Sequence, residues 1–205
     1  GQPLDIMVGQ FQTSDPLMKR ELRLTYEDYE VYKTRVGDSR TNLTYDRGVM
    51  VPYTLEATGT DLVAMVVNGN GRVEAGEDHD FDDDEYKNFG ARLLQPIGEY
   101  GTVGGFGYWG KERLAADLGT EAAPNPVTAE NEVTYYGVDL SFGYDGYVTF
   151  TGQWLYREDT APVLASPEMT DVETQGFVAE VIIAPHQDRS THYFTLLYNN
   201  VDSDW

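Results

Sequence analysis

Cysteine is absent from the 205-residue chain, which rules out a disulfide framework and thiolate metal sites. Long apolar runs are missing too, and nothing approaches the roughly eighteen residues of a membrane helix. Basic residues are scarce. The 14 Lys and Arg stand against 35 Asp and Glu, for a formal charge of −21. That balance argues against nucleic acid and against docking on an anionic surface through charge. No N-terminal signal pattern is visible, and Gly1 reads as a mature or truncated start. Catalytic motifs are missing as well: there is no Gly-x-Ser-x-Gly elbow and no Gly-rich loop opening a helix. His79, His186 and His192 fall in loops or at strand ends. Neither an enzyme nor a cofactor is expected.

What is present is β pattern. The 15 Tyr, 3 Trp and 21 Gly suit strands with aromatic belts and close strand packing. From Tyr136 to Tyr144 the even positions are Tyr136, Val138, Leu140, Phe142 and Tyr144; Gly137, Asp139, Ser141 and Gly143 lie between them. A period of two with one apolar and one polar face marks a strand between two different solvents. Asp145-Gly146 fits a two-residue type I′ turn, whose central residues both need positive φ. The chain returns with Val148, Phe150, Trp154 and Tyr156 on one face and Thr149, Thr151, Gln153 and Arg157 on the other. Each arm is about ten residues long, enough for a tilted strand to cross a bilayer.

Nine such strands are expected, beginning with residues 4–12 and ending with the alternation of Phe194, Leu196 and Tyr198. The connections alternate between short links and long loops at 13–47, 69–86, 111–131 and 159–171. Outer-membrane barrels alternate short periplasmic turns with long external loops in this way, whereas a Greek-key sandwich has no reason to. Aromatics gather at strand ends: Tyr100, Tyr144, Tyr147 and Tyr193 by the short turns, and Tyr108, Trp109, Tyr135, Trp154 and Tyr198 toward the long loops. Interfacial belts occupy those places. The expectation is an all-β, antiparallel transmembrane β-barrel in one domain. Nine is odd, however, and Trp205 lacks the alternating approach of a closing strand, so these strands are expected to be part of a larger barrel. A soluble, secreted acidic β protein has the same composition and stands as an alternative.

Val8-Gly9-Gln10-Phe11 before a long loop, then Asp46-Arg47-Gly48-Val49-Met50, then Val66-Val67-Asn68-Gly69-Asn70-Gly71 carry a resemblance. Together they resemble the phosphate-selective porin O and P family over residues 4–110, with Asp46-Arg47 reversing that family's commoner order. The resemblance implies a barrel of roughly sixteen strands that forms a channel across the outer membrane of a Gram-negative bacterium. It also implies contact with membrane lipid and lipopolysaccharide, and often assembly as a homotrimer. In the family the first long loop folds into the lumen and narrows it.

The loop 13–47 holds seven of the 14 basic residues, and Arg20, Arg23, Arg35 and Arg40 are the candidates for a charged constriction. An external, salt-bridged rim helix is the other reading of that stretch. The candidate pore-lining residues are Gln10, Arg92, Asp139, Thr149, Thr151, Gln153, Arg157 and Glu180. They form a mixed set and not the basic ladder that phosphate would need. Asp78, Asp80, Asp82 and Asp84 offer carboxylates to Ca²⁺, but the EF-hand glycine and closing glutamate are missing, so a solvated acidic loop fits them better. The function expected is passive diffusion of small hydrophilic solutes or ions. The alternative is a scaffold barrel sheathing a partner protein such as a cytochrome, whose haem would belong to the partner.

Overall fold

The computed structural model describes residues 4–13, 30–71, 84–120, 123–166 and 168–205. Nine strands form one antiparallel sheet in sequence order: β1 (Met7–Gln12), β2 (Tyr45–Leu55), β3 (Thr60–Val67), β4 (Asn88–Ile97), β5 (Gly101–Asp117), β6 (Pro126–Tyr144), β7 (Val148–Asp159), β8 (Val172–Ile183) and β9 (Phe194–Ser203). Every neighbour is a chain neighbour, so the topology is a plain meander. The sheet is open, and among the described residues β1 and β9 each pair on one side only. A single-turn helix, α1 (Glu30–Lys33), lies against β8 and β9.

Local chemistry sets the hairpins at one end. Asp145 and Gly146 both take positive φ, 48° and 72°, and the Tyr147 amide donates to the Tyr144 carbonyl at 2.9 Å. That is the right-handed-twist-compatible turn the Asp-Gly pair specifies. The links 56–59 and 98–100 use Gly59 and Gly98, also at positive φ.

The other end differs from the sequence expectation at 111–131. That stretch is not a loop. β5 runs for 17 residues and β6 for 19, in register down to Asp117 opposite Pro126. The outward side chains there are Lys111, Arg113, Glu130 and Glu132. The outward face there stands in water while Glu112, Leu114 and Asn131 are buried on the inward one, so polar residues fall on both phases and the apolar alternation that identifies a half-buried strand fades although the pairing continues.

Period-two alternation divides the sheet into two chemically distinct faces. The convex face carries an exposed apolar band across all nine strands, through Val8, Val49, Val66, Phe89, Trp109, Val138, Leu140, Val148, Phe177 and Leu196. Tyr136, Trp154 and Tyr156 cluster at one border, and Tyr100, Phe142 and Tyr144 at the other. Tyr108 and Tyr135, expected in the belt, are instead buried on the concave face, edge to face with centroids 5.7 Å apart. They fall on the inward phase of β5 and β6, together with Phe106 and Val133. The core sits there too: Met50, Met65, Val67, Leu155 and Val178 pack against Tyr32 and Leu43 of the segment that precedes β2.

Candidate functional site

The segment 30–44 lies on the concave face and is fastened there by buried polar groups. Arg157, on β7, is the hub. Its Nε and Nη2 donate to the two carboxylate oxygens of Asp159 at 2.5 and 2.8 Å. Two residues along a strand share a face, so Asp159 meets the guanidinium side-on. The remaining donors reach across to the segment and to β6: Nη1 to the Thr34 and Thr41 carbonyls, both at 3.0 Å, and to Tyr135 Oη at 2.6 Å, and Nη2 to Ser39 Oγ at 2.8 Å. Arg157 is 1 % exposed, yet every one of its nitrogens is engaged. A buried guanidinium is tolerable only on such terms.

A second clamp holds the same segment. Glu112 of β5 accepts from Ser39 Oγ at 2.5 Å and from the Arg40 amide at 2.9 Å. Asn131 joins the clamps, donating to Glu112 at 3.0 Å and to Asp159 at 2.9 Å. Tyr32 adds a third tether by donating to Gln153 Oε1. At the far edge Thr41 Oγ1 donates to the Gly69 carbonyl at 2.6 Å, and Asp46 accepts from the Gly69 amide at 2.8 Å. The Asn68-Gly69-Asn70-Gly71 turn therefore serves as a dock for the segment. Gly69 adopts φ 92°, a conformation that favours glycine.

The short-turn half of the concave face is open and lined by small polar groups: Thr149 is exposed, and Thr102, Ser141 and Thr151 are half-buried. Between the halves stands a buried ion pair, Arg92 Nη2 to Asp139 at 2.7 Å. Gly104 lies between its partners; a Cβ there would approach Asp139 to 2.5 Å and Arg92 to 2.8 Å.

Comparison with protein-family models, curated proteins and solved structures finds no match.

Of the residues singled out from sequence, Arg92, Asp139, Gln153, Arg157 and Glu180 are buried on the concave face, with Thr149 and Thr151 on its open half. Gln10 is not among them. It pairs with Arg47, on the face that carries Val8 and Val49, while Met7 opposite Met50 takes the inward phase. Arg35 is exposed and Arg40 half-buried on the inward segment; Arg20 and Arg23 lie outside the described residues. Asp78, Asp80 and Asp82 lie outside them too. Asp84 caps a turn, accepting from the amides of Tyr86 at 2.8 Å and Arg113 at 3.0 Å. Among the described residues no carboxylate or histidine cluster forms a cation site.

Sequence reasoning passed over Ser39, Thr41, Glu112, Asn131 and Asp159. Asp159 had a signal, two residues from Arg157 on the same strand face. The others are joined only by folding.

Beyond the aromatic border the β5–β6 extension is held by exposed charges. Lys111 Nζ lies 2.6 Å from Glu130, and Tyr86 Oη donates to the same carboxylate at 2.7 Å. These contacts, the lysine's first, hold the Glu130 carboxyl below its usual range. Asp117 is lowered by the amides of Asn125 and Gly119, which close the hairpin tip.

Proposed function

We propose that this chain builds part of the wall of an outer-membrane β-barrel channel, with segment 30–44 as its constriction. The observation that carries the reading is the exposed apolar band. It runs unbroken over nine strands, is bordered by aromatics, and gives way to Glu132, Glu158 and Glu173 beyond Trp109, Tyr156 and Trp154. From Tyr136 to Tyr144 it spans about 26 Å of strand, or about 20 Å of height at a barrel tilt near 40°. Water gains nothing from such a face, whereas hydrocarbon solvates it.

The open sheet completes the reading. Unpaired backbone groups on β1 and β9 are costly in lipid, so a spanning form needs further strands to pair with both edges. The porin resemblance supplies a number, roughly sixteen strands around an aqueous lumen, together with homotrimeric assembly and a surrounding shell of lipid and lipopolysaccharide. Small hydrophilic solutes and ions would pass between the inward segment and the remaining wall. Two arginines against five carboxylates among the buried charged side chains described favour cations over anions.

The test is single-channel recording of the full-length protein in planar bilayers under a KCl gradient. Discrete open steps with a cation-selective reversal potential are expected. Correct insertion with no conductance would overturn the channel and leave a scaffold filled by a partner protein. Failure to enter bilayers at all would return the protein to a soluble β fold.

A further inference from the structure

Of the enclosed polar atoms that have no hydrogen-bond partner among the described residues, four cluster on the concave face, Arg92 Nε and Nη1, Asp139 Oδ2 and Gln153 Nε2, and a fifth, Asn199 Oδ1, lies two strands further along the same row, beyond Val178. They are not scattered. Gly104, Asp139 and Gln153 stand opposite one another in register across β5, β6 and β7, and Arg92 reaches over Gly104 to Asp139. All three side chains are more than nine-tenths buried. Enclosed polar groups in native proteins are nearly always satisfied, so several orphans in one row call for something that satisfies them together.

Resting on the channel reading above, we propose that Arg92, Asp139 and Gln153 form a recognition site for an uncharged polyhydroxylated solute, of the sugar or polyol class. The orphan set is mixed: three donors and one acceptor that is a carboxylate oxygen. An ionised phosphate offers acceptors only. It would serve Arg92 and Gln153 but confront Asp139 with like charge. An ammonium would serve Asp139 and leave the three donors orphaned. Adjacent hydroxyls both donate and accept, and satisfy all four without adding charge. Phe106 stands opposite Arg92 in register on the same buried face, an apolar surface beside the polar row.

Access comes from the short-turn side. Thr102, Ser141 and Thr151 occupy the next inward row and are half-buried, so solvent stops one row short of Asp139 and Gln153. Reaching the site takes side-chain rotation and leaves the sheet intact. The closure is already partly made by a hydroxyl of the chain itself, since Tyr32 Oη donates to the Gln153 carbonyl oxygen. A solute hydroxyl would use the amide's other end.

The experiment titrates D-glucose, and separately inorganic phosphate, against full-length protein by two readouts: current through channels in planar bilayers, and heat in detergent solution. Glucose should reduce the current in a saturable way and release or absorb heat, and phosphate should do neither. Asp139→Asn should weaken glucose binding about tenfold, the loss of roughly one charge-assisted hydrogen bond. Glu132→Gln, on the outer face, should change nothing. Normal conductance with no glucose effect on current or heat would mean that the row holds water only, which overturns the site while the channel stands. Heat without any conductance would leave the site and overturn the channel. Phosphate binding in preference to glucose would overturn the site's chemistry. The wild-type comparison stands even where Asp139→Asn fails to fold.

Discussion

Replacing Arg157 by Met keeps much of the side chain's length and removes its donors, which isolates their contribution. The loss is concentrated: both bonds to Asp159, one each to Ser39 Oγ and Tyr135 Oη, and those to the Thr34 and Thr41 carbonyls. Asp159, 0 % exposed, would keep the Asn131 amide while losing its cation. Removing one member of a buried pair costs about 3–5 kcal/mol, mostly because the survivor stays charged and buried. Urea unfolding in detergent, followed by tryptophan fluorescence, should show a loss of that size. Arg157→Met combined with Asp159→Asn should lie closer to wild type, since neither charge is then stranded. The tether is tested separately by trypsin. Arg40 sits in the clamped segment, with its amide bound to Glu112, and cleavage after it should accelerate once Arg157 is gone. A loss under about 1 kcal/mol, with Arg40 protected as before, would refute the hub.

Val138→Arg distinguishes lipid from water on the convex face, where Val138 is 57 % exposed. It should cost about 2–4 kcal/mol on folding into vesicles near the bilayer midplane, and a loss within about 0.5 kcal/mol would mark an aqueous surface. Glu130 is held below its unfolded value, so its contribution is present above the unfolded pKa and lost as pH falls through the folded one. Carboxyl titration by NMR should report that depressed value. Acid should loosen the β5–β6 extension, and Glu130→Gln should remove that part of the acid response. Gly146→Ala places a Cβ on a residue at φ 72° and should cost about 1–2 kcal/mol in unfolding measurements; a neutral result would mean that the turn relaxes to another type.

The hairpin 136–156 was legible letter by letter because its two faces meet different surroundings and its turn needs a rare backbone conformation. Val138, Leu140 and Phe142 announce one face, Asp139 and Ser141 the other, and Asp145-Gly146 the reversal. Lys111 to Asn131 escaped for the opposite reason. Its strands stand in water on the outer face, so Lys111 and Glu130 replace the apolar marks while the backbone ladder continues. Gln10 was assigned to the lumen although it shares the phase of Val8, and the face set by Val8 and Val49 decides its place. The clamp residues were illegible in principle. Ser39 and Glu112 are far apart in sequence, and nothing local to either foretells that one will cap the other.

A formal charge of −21 describes a chain, and a solute meets only the charges that face it. The exposed carboxylates of the β5–β6 extension, Asp117, Glu130 and Glu132, stand in water, where ions screen them within about 10 Å. On the concave face the buried arginines are both committed: Arg92 to Asp139 and Arg157 to Asp159. Arg157 keeps no donor for a passing anion, because the segment 34–41 and Tyr135 take the rest. A phosphate-conducting wall needs guanidinium or ammonium groups with donors to spare, in a row. Here such donors remain on Arg92 alone among the buried charges described, and a carboxylate sits beside it. On these residues the proposed channel has no basis for a phosphate preference. In the proposed channel a solute at this face would meet hydroxyls, amides and neutralised pairs first, a lining suited to neutral or cationic solutes.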